Sequence, residues 1–278
     1  MAAREPPSFG VKMRVLSLFS GGGLGDYGLT LAGMEIVGQV EIDDYCQKIL
    51  KLRWPEVSKW RDIRDVKGEE VVEKCGRIDL ISGGFPCQDL SYAKQEAEGI
   101  EGKRSGLWKE MFRLICEIRP RFVFVENVSA LLGRGLGIVL GDLAEIGFDA
   151  EWSCIPASAV GAPHYRDRIW IVAYPRGELG TDRFILTKNS RDSFDGWKEA
   201  EKWGFDRVES EMGAKTLSGL GIKWKERPCG SFVCRISDGS PNKLDRLKLL
   251  GNGQVVQVVE WIGKRIMEHN TKKAVENE

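Results

Sequence analysis

Two histidines in 278 residues, no Cys-x-x-Cys spacing among seven cysteines and no net charge mark what this chain has little of. Each shortage excludes something. An odd number of unpaired-looking cysteines indicates neither a disulfide framework nor a zinc site, so reduced thiols and no bound metal are expected. A balance of 41 basic against 41 acidic residues argues against a protein that coats nucleic acid. No apolar run is long enough to span a bilayer, and the start from Met1 to Pro7 has no apolar signal-peptide core. A cytoplasmic location and no membrane partner are the expectation. What is present is ordinary for a soluble globular chain, 42% hydrophobic and 29% charged residues. The length suits one α/β domain with a small appendage.

The most informative stretch is Ile78-Asp79-Leu80-Ile81-Ser82-Gly83-Gly84-Phe85-Pro86-Cys87-Gln88-Asp89-Leu90-Ser91. A short apolar run that stops at two glycines reads as a buried strand, and Pro86 then fixes the backbone before a cysteine. A packing cysteine needs neither the glycine pair nor the proline to aim it. Cys87 is therefore the candidate nucleophile, presented where open α/β sheets bind ligands.

An earlier strand, Met13 to Phe19, runs into Ser20-Gly21-Gly22-Gly23-Leu24-Gly25-Asp26-Tyr27-Gly28 and then a helix through Leu29, Leu31 and Ala32. Strand, glycine turn and helix make a nucleotide-type cradle, with helix N-terminal amides facing the ligand. Residues 23–28 also fit the literal GxGxxG of dinucleotide binders, with Glu41 placed for a ribose. Against a nicotinamide cofactor stand the earlier start of the turn at Gly21 and the second acid, Asp62, after Trp60-Arg61. Asp43 is expected to cap a helix carrying Ile49 and Leu52 that stops before Pro55. Leu107 to Ile118 reads as an amphipathic helix. Phe122-Val123-Phe124-Val125 reads as a buried strand delivering Glu126 and Asn127 at its end, where a carboxylate is costly unless bound or raised in pKa. Ala150 to Pro156 is another strand. His164-Tyr165-Arg166-Asp167-Arg168 enters a last one, with both arginines on one side of it.

Gly-Phe-Pro-Cys-Gln after a strand resembles the catalytic signature of the DNA cytosine-5 methyltransferases, and Phe124-Val125-Glu126-Asn127-Val128 resembles their second. Six signatures stand in the family's order over roughly residues 13–175 and 243–268. The resemblance implies a class I methyltransferase fold, a Rossmann-like, mostly parallel, doubly wound sheet with a small irregular second lobe. It implies S-adenosyl-L-methionine as methyl donor, released as S-adenosyl-L-homocysteine. Cys87 would attack carbon 6 of cytosine, Glu126 would protonate or hydrogen-bond ring nitrogen 3, Arg168 would bind the carbonyl oxygen, and Arg166 would steady the glutamate or its loop.

By the same resemblance the cofactor would meet Phe19, Ser20, Gly21, Gly23 and Leu24, with Glu41 on both ribose hydroxyls and Asp62 accepting from the adenine amino group. Ile42, Ile63, Pro86, Leu107 and Asn252 complete that set. His164 stands where the family more often has glutamine, and Gly253-Gln254 where it more often has Ser-Val or Ala-Val. The long polar run from Ser91 to Gly106 corresponds to a loop that closes over DNA, with Gln88, Ser91, Lys94, Lys103 and Arg104 as candidate DNA contacts.

The organisation expected is a flexible start over 1–12, a catalytic and cofactor-binding domain over 13–175 and a target recognition lobe over 176–243. A helix over 244–268 returns to the catalytic domain, and 269–278 is a tail. Acidic residues exceed basic ones by three over 1–175, and basic exceed acidic by three over 176–250. Trp197, Trp203 and Trp224 serve that lobe as core or as groove readers. The partner implied is double-stranded DNA with the target base turned out of the helix. The protein is expected to act as a monomer, with room for a separate cognate restriction endonuclease. Two readings stay open beside it: the same chemistry on tRNA, and a nucleic-acid-binding relative without catalysis.

Overall fold

The computed structural model describes residues 12–86, 106–160, 166–177, 186 and 252–276. Seven strands form one sheet in the order β3-β2-β1-β4-β5-β7-β6. They are β1 (Arg14–Leu18), β2 (Glu35–Val40), β3 (Ser58–Trp60), β4 (Leu80–Gly83), β5 (Phe122–Val128), β6 (Phe148–Cys154) and β7 (Arg168–Pro175). The first five pair in parallel, while β7 runs antiparallel between β5 and β6. The central strands are largely apolar, as strands covered on both faces tend to be, with Ser17 in β1 and Glu126 and Asn127 in β5 among the buried polar exceptions.

Helices cover both faces. On one, α1 (Leu24–Leu31) and the last helix, α7 (Val256–Glu276), enclose a core of Leu29, Leu80, Phe124, Trp170, Val259 and Ile262. On the other, α3 (Gly68–Cys75), α4 (Gly106–Ile118) and α6 (Leu136–Glu145) enclose Val71, Met111, Leu114, Val123 and Leu143. Among the described residues the remaining α-helices are α2 (Asp44–Arg53) and the single turn α5 (Leu131–Arg134). The first and last helices approach closely because both carry glycine at the contact. A methyl group on Gly28 would fall 2.7 Å from Val259 Cβ, and one on Gly263 would fall 2.7 Å from Ala32 Cβ.

Strand order reverses between β1 and β4, which sit side by side with Leu18 opposite Gly83. Turns leaving the carboxyl ends of β1 and β4 therefore diverge over a crevice, the position where sheets of this class bind ligands. The segments after β1, β2 and β4 and the last residues of β5 all lie at this one edge.

Several expectations need correction. Glu126 and Asn127 do not follow β5 but belong to it, because β7 pairs antiparallel with it as far as Val128. Asp43 does cap α2, accepting from the amides of Tyr45 and Cys46. The face that α2 buries, however, carries Cys46, Gln47 and Leu50, while Leu52 is 84% exposed. The tail expected from residue 269 is helical through Glu276. Leu186, expected in a second lobe, is buried against the α1 and α7 core, and its amide donates to Glu151 Oε2 at 3.0 Å. Among the described residues no helix is long and apolar enough to cross a membrane.

Candidate active site

β4 ends at Gly83, and the chain continues through Gly84, Phe85 and Pro86 toward Cys87. Gly84 passes so close to β5 that a methyl group there would stand 3.0 Å from Glu126 Oε2 and 3.3 Å from the Glu126 carbonyl oxygen. Phe85 is buried, its ring 5.4 Å from that of Trp108 on α4. Asn127 donates its side-chain amide to the Phe85 carbonyl at 3.1 Å. The turn that precedes Cys87 is thus packed from below and hydrogen-bonded to the strand of the acid. Cys87 itself lies outside the described residues, as do Gln88, Ser91, Lys94, Lys103, Arg104 and His164. Of the described cysteines, Cys46 and Cys75 are buried, and burial pushes the thiols of Cys75, Cys116 and Cys154 above their usual range.

Glu126 is 7% exposed and shares one face of the sheet with Phe124 and Trp170, whose rings stack 5.6 Å apart. Cross-strand pairing explains its cationic neighbour. Trp170 is directly opposite Glu126 and Arg168 opposite Val128, so alternation puts Arg168 diagonally beside the acid on that face. Arg168 Nε lies 3.0 Å from Glu126 Oε1. Burial still dominates: it pushes the Glu126 carboxyl up to about 7, against the pull of Arg168 and Arg166. Such a group exchanges a proton near neutral pH. Arg166 donates through Nη2 to the Gly253 carbonyl at 2.8 Å, its Nε is buried without a partner, and burial lowers its pKa. It therefore grips the turn before α7, while Arg168 is the arginine on the acid.

An open crevice lies between the carboxyl ends of β1 and β4. Phe19, Ser20, Gly21, Leu24 and Asn252 line it, all expected there. The turn after β1 is tight enough to force left-handed backbone at Phe19 (φ 55°), Gly21 (φ 55°) and Gly23 (φ 78°). Only glycine takes this region freely, so Phe19 is held there by the surrounding packing. At Gly23 any side chain would also strike Trp54, 2.4 Å away.

Glu41 follows β2, and its two carboxylate oxygens accept from the amides of Gly21 and Asp43, both at 2.7 Å. That ties the carboxylate to the glycine turn. Ile42 beside it is 57% exposed. Asp62 follows β3 and caps the short turn Ile63–Asp65, its carboxylate held by Arg64 at 2.9 and 2.5 Å. That contact keeps its pKa below the usual carboxylate range. Ile63 is buried in the core, Pro86 is exposed, and Leu107 packs against the α4 side of the core.

Two features escape a reading of signatures. Asp26, on α1, is buried and accepts from Ser17 Oγ at 2.5 Å and Gln39 Nε2 at 2.6 Å, and burial pushes its carboxyl up to about 6. Ser20 donates in turn to Ser17 Oγ at 2.9 Å, so a chain of hydrogen bonds runs from the glycine turn into the sheet. A serine near the carboxyl end of the otherwise apolar run in β1 was the available signal. The other is Gln254, whose side chain enters the crevice.

Comparison with known proteins agrees with this geometry. The model of the C-5 cytosine-specific DNA methylase family matches residues 13–206. Type II methyltransferase M2.BsuMI of Bacillus subtilis (strain 168) is 34% identical over 169 residues, 58% of this chain and 42% of that protein. Type II methyltransferase M.HhaI of Haemophilus parahaemolyticus is 29% identical over 182 residues, 63% of this chain and 53% of that one. The chain thus spans about half the length of these relatives. The S. pombe Dnmt2 methyltransferase structure superposes with a TM-score of 0.61 at 18% identity, over 92% of this chain and 99% of that chain, a likeness of fold. As the family model covers more than half of its 278 residues, this chain belongs to the C-5 cytosine-specific DNA methylases.

Proposed function

We propose that this protein methylates carbon 5 of cytosine in double-stranded DNA, using S-adenosyl-L-methionine and a transient covalent bond to Cys87. The observation that carries this reading is the buried Glu126 carboxyl, titrating at about 7, beside Arg168 and directly over the Gly84 turn that leads to Cys87.

The described residues suit the cofactor. A methyl group on Gly21 would meet open space, so a ligand can lie against this backbone. Glu41 is locked against the turn with lone pairs left to accept from a ribose diol, and the exposed Ile42 offers an apolar face beside it. S-adenosyl-L-methionine would supply an electrophilic methyl group there. Asp62 would accept from an adenine amine only by sharing the carboxylate that Arg64 now holds.

The chain's own residues do the rest. The Cys87 thiolate adds to carbon 6 while Glu126 gives a proton or hydrogen bond to ring nitrogen 3, and Arg168 stabilises the charge growing on the carbonyl oxygen. This leaves carbon 5 nucleophilic. After methylation a base removes its proton, and the sulfur departs as the ring double bond returns. The cytosine must leave the duplex, because a stacked ring hides the face the sulfur attacks. Segment 176–243 is the proposed reader of the DNA sequence, and Gln88, Ser91, Lys94, Lys103 and Arg104 are proposed DNA contacts. A monomer in the cytoplasm, alone or beside a cognate restriction endonuclease, suits this role.

Transfer of labelled methyl groups to duplex DNA and to tRNA, measured side by side, tests the substrate. Label in DNA supports the proposal. Label in tRNA alone would replace it with the RNA reaction.

A further inference from the structure

The turn Asn252, Gly253, Gln254 joins the two halves of the site. From one side Arg166, two residues before the arginine on the acid, holds the Gly253 carbonyl at 2.8 Å. From the other, the Gln254 side chain reaches across the crevice. A methyl group on Gly25 would sit 2.1 Å from Gln254 Oε1 and 2.9 Å from its Cδ, so the carboxamide fills the space a side chain at 25 would need. One on Gly84 would sit 3.5 Å from Gln254 Nε2 and 3.0 Å from Glu126 Oε2. Amide nitrogen and acid therefore flank the same small space over Gly84. Gly84, just beyond β4, and Gly25, in the first turn of α1, both face this one side chain, with Glu126 across the space over Gly84.

We propose that Gln254 is a positioning residue that couples the cofactor cleft to Glu126, its carboxamide spanning the space left by the glycines at 25 and 84. Two contributions follow. The bulk of the side chain sets the distance between α1 and β4, and with it the shape of the cleft. The amide group presents hydrogen-bonding atoms both to the cleft and to the space beside Glu126, where an apolar residue would present none.

The inference rests on the catalytic reading only for the role of Glu126, and the test separates the two. Binding of S-adenosyl-L-homocysteine is measured by calorimetry, and methyl transfer to DNA by single-turnover kinetics, for the wild type, Gln254→Ala and Gln254→Met. The alanine variant should bind S-adenosyl-L-homocysteine about tenfold more weakly, the scale of one lost hydrogen bond or filled void. Methionine fills similar space without an amide. Its variant should recover binding to within about threefold yet transfer methyl groups at least about tenfold more slowly. Wild-type affinity in the alanine variant, or a wild-type rate in the methionine variant, would overturn the proposal. If the wild type itself transfers no methyl group, the catalytic reading fails. Calorimetry then decides the inference alone: weakened binding in the alanine variant upholds it, and unchanged binding ends it.

Discussion

Asn127 donates its side-chain amide to the Phe85 carbonyl at 3.1 Å, which ties the turn leading to Cys87 to the strand that carries Glu126. The bond crosses between two parallel strands at the one edge where the reaction would occur. Replacing Asn127 by alanine leaves the acid in place and leaves the Phe85 carbonyl without its donor, a loss of about 1–3 kcal/mol. Asn127→Ala should therefore slow covalent capture of 5-fluorocytosine DNA by about tenfold or more while S-adenosyl-L-homocysteine affinity changes little. An equal loss in both measurements would mean that the bond supports the whole fold and not the turn.

If Glu126 acts in its protonated form, as proposed, kcat/KM for methyl transfer should fall as pH rises through about 7, the value to which burial pushes its carboxyl. Glu126→Gln keeps the shape and removes the proton. It should cost roughly 10²- to 10⁴-fold in rate, the usual range for a general acid. Cofactor affinity should be nearly unchanged, and the alkaline limb should disappear. A rate profile for Glu126→Gln that still declines above neutral pH would assign the limb to another group.

Asp26 gives a stability prediction of opposite habit to most carboxylates. Its pKa in the fold is raised from 3.8 to about 6 by burial, so the folded state holds the proton more tightly than the unfolded chain. The stabilisation is fully present below pH 3.8 and is lost as pH rises through about 6, a swing of about 3 kcal/mol. Asp26→Asn carries no titrating proton at this position. Urea unfolding at stepped pH should show the wild type losing stability relative to Asp26→Asn between about pH 4 and 6. Parallel curves would show that Asp26 titrates alike in both states.

Gly28 lies 2.7 Å, by the measure of an added methyl group, from Val259 Cβ and 2.8 Å from the Val256 carbonyl oxygen. Backbone cannot yield as a side chain can. Gly28→Val should destabilise by about 1–3 kcal/mol, as overpacking does, and should loosen α7 from α1. Thermal unfolding measures the loss, and a variant as stable as the wild type would show that the two helices can separate freely.

Much of this was legible in the sequence, for physical reasons that differ by element. β1, β4 and β5 read as largely apolar runs because both faces are covered, and those runs stop at Ser20, Gly83 and Glu126. Glycines in the first turn announced the cradle because the backbone there takes positive φ. The extent of β5 was not legible, since Glu126 and Asn127 look like an end until β7 pairs beside them. The buried face of α2 was misjudged for a similar reason: Gln47 is buried by hydrogen bonds to the carbonyls of Glu41 and Trp60, which hydropathy cannot register. Gln254 reads as a plain departure from a signature until Gly25 and Gly84 are seen around it.

The most direct test concerns Cys87. Incubated with S-adenosyl-L-methionine and duplex DNA carrying 5-fluorocytosine, the wild type should form an adduct that survives denaturation, and peptide mass spectrometry should place it on Cys87. Cys87→Ala should bind the duplex and form none. An adduct that persists in Cys87→Ala, or that maps to another residue, would contradict the account at its centre.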